Sequence, residues 1–150
     1  MKTAVVRSLL LLAVASAFGA LTPTAFGVLC SATPNTANCD GKDPIAAGCS
    51  GDAVNLLPPV TSGATTVYLR YSPKCRSAWS RVDYGGVLIP SLKACVYRKV
   101  LTTNSPQCYT TASNNVFSNM LYLGKNTYQG RATGAANSAT PTTTAWAFGY

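Results

Sequence analysis

Six cysteines constrain the fold of this chain more than any other feature of its sequence. All of them lie beyond the first 29 residues: Cys30, Cys39, Cys49, Cys75, Cys95 and Cys108. An even number of cysteines indicates disulfides if the chain is exported, because the extracellular compartment is oxidising. Zinc binding is the alternative, but the chain has no histidine and no Cys-x-x-Cys pair. We therefore expect three disulfides, no metal site and no cofactor.

The N-terminus has the pattern of a secretory signal peptide. Two basic residues precede an uncharged, mostly apolar run over residues 8–21. This run is shorter than the roughly 20 residues of a membrane helix, which argues against the alternative of an uncleaved anchor. Small residues offer cleavage after Ala17, Ala20 or Gly27. We expect cleavage after Gly27, so that residues 1–27 are the signal peptide and residues 28–150 form one secreted, extracellular domain without a membrane span.

Short segments rich in β-branched and aromatic residues predict an all-β fold. In residues 65–71 the side chains of Val67, Leu69 and Tyr71 alternate with polar ones, which is the period of a strand. Further strands are expected over residues 77–82, 87–89, 93–103, 116–123, 127–133 and 142–150. Residues 132–144 are small and polar and are expected to form a mobile loop. This pattern predicts a small antiparallel β-barrel or sandwich.

The segment before the first clear strand is predicted to be a disulfide-stapled loop region with a short helical turn. It is rich in Asn, Thr, Pro and Gly. Asp43 is a good N-cap, Pro44 suits the first helical position and Gly48 suits the left-handed end of the turn. Ser72-Pro73 repeats this start signal and predicts a second short turn.

Basic residues are concentrated in the second part of the chain. From residue 53 onward there are nine lysines and arginines and one aspartate, and the chain contains no glutamate. We single out a candidate ligand-binding set: Arg70, Tyr71, Lys74, Arg76, Trp79, Arg81, Arg98 and Lys99. Arginines next to aromatic rings suit polyanions or sugars. The alternative is that these charges solvate the outer face of a sheet while Trp79 packs in the core.

Catalysis finds little support in the sequence. Without histidine, a serine or cysteine nucleophile lacks its ordinary base. The only carboxylates belong to Asp40, Asp43, Asp52 and Asp83. Short acids beside glycine usually serve turns, although two carboxylates are also what a glycosidase requires. We expect no catalytic residues and no enzyme activity, with an aspartate-dependent hydrolase as the least favoured alternative.

Two segments resemble a known family. CDGKDP at residues 39–44, followed by Gly48-Cys49 and Asp52-Ala53, resembles its first signature, and LRYSPKCRSAWSR at residues 69–81 resembles its second. The family is the YjfA-like group of small exported proteins of Gram-positive bacteria, a domain of unknown function. The resemblance implies an exported β domain, and it implies no activity and no catalytic residues.

The positions of the cysteines relative to these segments suggest how they pair. We expect the disulfides Cys30–Cys39, Cys49–Cys75 and Cys95–Cys108. The third pair would join the ends of one hairpin, but a tight turn centred on Asn104 would place Cys108 opposite Val100 instead. The hairpin loop must then be irregular, or the strand boundary differs.

These observations favour a secreted, non-enzymatic binding or structural module with a basic face. Its expected ligand is an anionic cell-wall polymer or an acidic glycan, because the excess of basic residues is combined with export. A secreted inhibitor or another domain that recognises a secreted protein is the alternative. We expect a monomer, and no nucleic-acid partner, because no base-reading motif accompanies the basic residues.

Overall fold

The computed structural model describes residue 30 and residues 39–88, 90–99 and 106–150. The expected signal peptide, residues 1–27, lies outside the described residues. So do residues 100–103 of the strand expected at 93–103 and residue 89 of the strand expected at 87–89.

The described residues form eleven β-strands that belong to two sheets. In chain order the strands are β1 (Val54–Asn55), β2 (Val60–Ser62), β3 (Thr65–Ser72), β4 (Ser77–Tyr84), β5 (Ser91–Lys99), β6 (Gln107–Ala112), β7 (Asn115–Phe117), β8 (Leu121–Tyr122), β9 (Gln129–Ala136), β10 (Thr142–Thr143) and β11 (Ala147–Phe148). All pairings between these strands are antiparallel.

The two sheets stack as a sandwich. The first sheet has the order β1-β3-β4-β7, with β2 also paired to β3 and β8 also paired to β4. The second sheet has the order β10-β9-β5-β6, with β11 also paired to β9. The expectation of an all-β fold is therefore confirmed, and of its two forms the sandwich is present, because no strand pairing joins the described parts of the two sheets into a barrel.

Alternation along the two central strands fills the space between the sheets. In β3 the buried side chains of Val67, Leu69 and Tyr71 face the second sheet, while the residues between them are half-buried. In β5, the buried side chains of Leu92 and Ala94 face the first sheet. A strand with one buried face specifies its register strongly, since a shift of one residue would turn the apolar side chains outward.

A second, smaller core lies outside the first sheet, where the N-terminal loop region covers Trp79. Its buried members are Cys30, Cys39, Ala47, Cys49, Cys75, Trp79 and Met120. Met120 also holds the loop through its backbone, accepting a hydrogen bond from Gly41 N at 2.9 Å and donating one to Lys42 O at 2.8 Å. The alternative interpretation of Trp79, as a core residue, is the one found in the structure.

The predicted helical turn is present in this loop region. Asp43 Oδ1 accepts hydrogen bonds from the backbone N–H groups of Ile45 at 2.8 Å and Ala46 at 2.9 Å, which is N-cap geometry. Ala47 N donates to Asp43 O at 3.0 Å, and Gly48 ends the turn with a φ of 72°. A residue with a Cβ atom is disfavoured at such a φ, which accounts for the glycine.

Two of the three expected disulfides are present. Cys49 is bonded to Cys75, and Cys95 is bonded to Cys108 across directly paired positions of β5 and β6. This register is centred between residues 101 and 102, so a tight turn centred on Asn104 is wrong. The expected pair Cys30–Cys39 is not formed: both thiols are free, and Cys39 Sγ donates to the carbonyl oxygen of Cys75 at 3.6 Å.

Four expectations about individual segments need correction. The strand expected at 142–150 is interrupted between β10 and β11. The segment expected as a strand at 87–89 is not one at residues 87–88, where Val87 and Leu88 lie in an exposed bend. The mobile loop expected at 132–144 instead contains the end of β9 and all of β10, because small residues allow β9 to pack closely on the first sheet. The strand expected at 116–123 is interrupted between β7 and β8. There the backbone N–H of Ser118 donates a hydrogen bond to Ser80 O, and Ser118 Oγ accepts one from Ser80 N.

Within the part of the chain that the structure describes, there is no helix long and apolar enough to cross a membrane.

Candidate binding groove

A row of cationic and aromatic side chains lies on the outer face of the first sheet. The strand register places Arg70 opposite Trp79 and Tyr68 opposite Arg81 in β3 and β4. On the other side of β4, Arg81 is opposite Phe117 of β7. Because alternate residues of a strand share a face, these five side chains project away from the sandwich core.

The helical turn of the loop region forms one wall of a groove over this row. The groove has a volume of about 250 Å³ and is lined by Pro44, Ile45, Ser50, Arg70, Trp79, Arg81 and Phe117. Ile45 is 59% exposed although it is a large aliphatic residue. The groove therefore combines an apolar wall with two guanidinium groups.

Arg81 is held in a fixed position at the groove. Its Nε donates to Asp83 Oδ1 at 2.9 Å, and its Nη2 lies 2.8 Å from Asp83 Oδ2. The guanidinium also lies over the rings of Tyr68 at 5.3 Å and Phe117 at 5.9 Å from their centroids. The hydrogen bond to Asp83 raises the pKa of Arg81 above its ordinary value. This bidentate pairing uses two donor atoms and leaves Nη1 for another acceptor.

Arg70 carries a positive charge that no carboxylate compensates. Its Nη1 donates to Asn55 Oδ1 at 2.8 Å and its Nη2 to the carbonyl oxygen of Ala53 at 2.7 Å. Burial, followed by repulsion from Arg81, lowers the pKa of Arg70 below its ordinary value. Two cations that are near enough to repel each other in a partly desolvated groove favour an anion between them.

The other residues of the predicted binding set lie elsewhere. Tyr71 is buried in the main core, where its hydroxyl donates to Tyr150 O at 3.1 Å. Lys74 and Arg76 belong to the turn between β3 and β4. The structure thus brings together Arg70, Trp79 and Arg81 of the eight predicted residues.

Arg98 and Lys99 are also separate from the groove. Arg98 Nη1 lies 2.8 Å from Asp40 Oδ2 and donates to Tyr122 O at 3.0 Å, so it connects the loop region to both sheets. Lys99 is the exposed last residue of β5 in the second sheet. Arg98 and Lys99, which the sequence analysis included in the candidate binding set, therefore do not line the groove.

Sequence reasoning did not identify Ile45 and Phe117 as groove residues. Phe117 contacts Arg81 only because β4 pairs with β7, although 30 residues of the chain, 85–114, lie between these two strands. Ile45 reaches the groove because the Cys49–Cys75 disulfide holds the loop region against the turn after β3. In the sequence, the only sign of this role is that an aliphatic residue, Ile45, stands inside a short capped turn.

Each of the four aspartates has a structural partner. Asp40 pairs with Arg98, Asp43 caps the helical turn and Asp83 pairs with Arg81. Asp52 accepts hydrogen bonds from Ser72 Oγ at 2.6 Å and from Lys74 N at 2.9 Å, so it caps the predicted second turn. These roles account for the aspartates without acid–base chemistry.

Three sulfur atoms lie together in the smaller core. Those of Cys30, Cys39 and Cys49 are within 4.8 Å of one another. Because Cys49 is bonded to Cys75, it is not a thiolate, and this trio offers at most two thiolate ligands to a metal.

Comparison with known proteins assigns the chain to a family. No curated protein and no solved structure is significantly similar to this chain. A family model described as a protein of unknown function (DUF2690) matches residues 37–128, which is well over half of the chain. The matched range contains the loop region from Cys39, the groove residues of β3, β4 and β7, and both disulfides. The chain therefore belongs to the DUF2690 family of proteins of unknown function.

Proposed function

We propose that this protein is a secreted, non-enzymatic binding module whose groove takes an anionic polymer of the cell envelope. The observation that carries the proposal is the side-by-side position of Arg70 and Arg81 among Trp79, Phe117 and Ile45. The signal-peptide pattern and the resemblance to the YjfA-like exported proteins of Gram-positive bacteria support the location. Without Lys2 and Arg7 of the expected signal peptide, ten basic residues remain against four aspartates, so residues 28–150 have a formal net charge of +6 instead of the +8 of the whole chain, which supports an anionic ligand.

The chemistry of the groove suits a polymer that alternates an oxyanion with a carbon-rich unit. Guanidinium groups bind phosphate and carboxylate oxygens with several directed hydrogen bonds. The exposed apolar surface of Ile45 and the ring of Phe117 would pack against a sugar ring or a glycerol unit, while Trp79, which is only 2% exposed, lies beneath them. Poly(glycerol phosphate) and an acidic polysaccharide both have this composition.

Binding of the mature chain to poly(glycerol phosphate) and to purified cell walls, measured over a salt series, tests the proposal. Affinity should fall steadily as salt screens the charges. Arg70→Gln should lower the affinity about tenfold, because a hydrogen bond to a charged group is lost. Lys125→Gln removes the same charge from a loop that does not line the groove, and serves as the matched control.

Two results would contradict the proposal. One is binding that does not change with salt. The other is an Arg70→Gln protein that binds as well as the Lys125→Gln protein. Circular dichroism of both variants confirms that the comparison is between folded proteins.

Recognition of a secreted protein is the second candidate, and a separate observation favours it. Val87 is fully exposed and Leu88 is 80% exposed, next to one another in the bend after β4. Exposed apolar side chains at a loop tip are typical of protein contacts. Affinity capture from culture medium should then retain one stoichiometric protein, and the double variant Val87→Ser/Leu88→Ser should release it.

A further inference from the structure

A second cationic and aromatic cluster lies on the outer face of the second sheet. Arg131 of β9 is directly opposite Tyr97 of β5, and the register of β11 places Trp146 beside Arg131 on its other side. The Arg131 guanidinium lies 5.1 Å from the centroid of the Tyr97 ring and 4.7 Å from that of Trp146. We call these three side chains the arginine clasp.

The clasp contains a polar atom whose position the fold does not explain. Arg131 Nε is buried and has no hydrogen-bond acceptor among the described residues. Leaving a buried donor unpaired costs about 1–3 kcal/mol, so such a group in a native structure calls for a specific reason. Attraction between the cation and the two rings offsets part of this cost and holds the guanidinium in place.

No carboxylate side chain is available to neutralise the clasp. The chain has four acidic side chains, and all four lie in described residues that are occupied elsewhere. Their partners are Arg98 for Asp40, the helical turn for Asp43, the turn after β3 for Asp52 and Arg81 for Asp83. Arg131 is thus a fixed guanidinium that none of the four carboxylate side chains neutralises.

Two lysines extend the charge along the same face. Lys93 and Lys99 occupy exposed positions of β5 that alternate with Tyr97, so they project to the same side as the clasp. Between Lys93 and Tyr97 lies a shallow depression of about 70 Å³ that also contacts Thr133 and Pro141. Along the strand the clasp is ~13 Å from Lys93 and ~7 Å from Lys99, a spacing suited to repeated charges on a chain.

We propose that the arginine clasp, with Lys93 and Lys99, is a second binding surface for the oxyanions of a polymer. The ligand class rests on the function proposed for the groove. The new element is the geometry: the outer faces of the two sheets of a sandwich point in opposite directions. One polymer segment cannot contact both surfaces at once, so a single domain holds two segments and cross-links them.

Light scattering by mixtures of the mature protein with polymer tests cross-linking, and equilibrium binding is measured in the same samples. The probes are poly(glycerol phosphate) and polygalacturonate, which separate phosphate from carboxylate as the source of the oxyanion. Wild-type protein should produce scattering that rises with protein concentration and disappears in excess protein. Arg131→Gln and Arg70→Gln should each still bind through the remaining surface, with an affinity about tenfold lower, but the scattering should be lost because one surface cannot cross-link. The double variant should lose both.

Further variants identify what the clasp contributes. Arg131→Lys keeps the charge but loses the planar group that lies between two rings, and should scatter less than wild type. If Arg131→Gln does not fold, Lys93→Gln/Lys99→Gln changes only exposed positions and should reduce scattering in the same way. The ligand-induced change in tryptophan fluorescence should be smaller in Trp146→Phe.

Specific outcomes would overturn the inference. Scattering by Arg131→Gln equal to that of the Lys125→Gln control would remove the second surface while leaving the groove proposal intact. Scattering by Arg131→Lys equal to wild type would show that charge alone acts and would remove the role of the clasp. If Arg70→Gln changes nothing and Arg131→Gln abolishes all binding, the groove proposal fails and the clasp is a single site, which excludes cross-linking.

Discussion

Gly134 lies on the core face of β9, where the two sheets approach closely. A Cβ atom there would be 2.8 Å from Val67 Cγ2 and would also overlap Val82 on the opposite sheet. Close packing of a sandwich core leaves no room for an added methyl group without a shift of the sheets. The absence of a side chain at this residue therefore sets how near the sheets can lie.

Gly134→Ala is expected to lower the free energy of unfolding by about 1–3 kcal/mol through overpacking. Gly51→Ala is the matched control, because a Cβ at Gly51 meets nothing within 4 Å, and it should change stability by less than about 0.5 kcal/mol. Urea unfolding of both variants measures the difference. If Gly134→Ala and Gly51→Ala are equally stable, the two sheets can move apart to admit a methyl group without a loss of stability.

Tyr71 is expected to make the protein less stable at alkaline pH. Burial raises the pKa of Tyr71 above its ordinary value of about 10. A raised folded-state pKa means that the stabilisation is complete below that ordinary value and is lost as the pH rises through the higher folded value. Tyr71→Phe should cost about 0.5–1.5 kcal/mol at neutral pH, through loss of the hydrogen bond to Tyr150 O, and should flatten the alkaline decline.

Thermal unfolding between neutral pH and about pH 11 checks this dependence. Tyr109→Phe, at an exposed tyrosine of β6, should leave the alkaline decline as it is in wild type. If Tyr71→Phe loses stability at alkaline pH as wild type does, groups other than Tyr71 cause the loss.

Asp83 should limit the affinity of the groove for anions. It neutralises Arg81 through two contacts at 2.8 and 2.9 Å, so that only Arg70 contributes uncompensated charge. Asp83→Asn is expected to raise the affinity for poly(glycerol phosphate) about fivefold at low salt, since one nearby charge in a solvated site is worth roughly 1 kcal/mol. The gain should vanish at high salt. A lower affinity would mean that Asp83 is needed mainly to orient Arg81.

At the scale of elements, the loop region is attached to the sandwich by covalent and polar links. The Cys49–Cys75 bond joins it to the turn after β3. Asp40 contacts Arg98 of β5 and accepts a hydrogen bond from Tyr122 N of β8 at 2.6 Å. These links place Ile45 over Trp79 and thereby form the groove.

The two disulfides should differ in what their removal exposes. Both double variants, Cys49→Ala/Cys75→Ala and Cys95→Ala/Cys108→Ala, should lose about 3 kcal/mol of stability. The sequence separations of the two bridges are 26 and 13, and the stabilisation grows only with the logarithm of loop length. Only the first should shift the emission of Trp79 to longer wavelength, since the loop region that covers this residue is then released. No shift in the first variant would show that the polar links alone hold the loop region over Trp79. A similar shift in both variants would show that Trp79 responds to the loss of either disulfide. Fluorescence in the Trp146→Phe background isolates Trp79.

At the scale of the whole molecule, the two cores belong to one cooperative structure. Trp79 lies in the smaller core while its strand, β4, contributes Ala78 and Val82 to the main core. A strand shared by two cores couples them, because neither can open without disturbing the same backbone hydrogen bonds.

Urea unfolding of the Trp146→Phe protein should therefore follow a single transition. The emission of Trp79, which reports the smaller core, and the far-ultraviolet circular dichroism, which reports the sheets, should have the same midpoint. A lower midpoint for Trp79 would show that the loop region detaches before the sandwich unfolds.

Local features of this protein can be predicted from its sequence. Alternation in residues 65–71 predicted β3, and Asp43, Pro44 and Gly48 predicted the capped turn, because these signals act between near neighbours in the chain. Cysteine positions also predicted two of the pairs, since Cys95 and Cys108 face each other in one hairpin. The expected export, ligand and partners stay predictions.

Which side chains share an outer face of a sheet depends on contacts between segments that are distant in the chain. Phe117 and Arg81 meet because β7 pairs with β4, and Tyr97, Arg131 and Trp146 align because three distant strands share one register. Small residues in 132–144 resembled a loop, yet Gly134 allows β9 to lie against the first sheet. Long-range pairing and close packing decide such contacts, and neither is expressed in the local pattern of a strand.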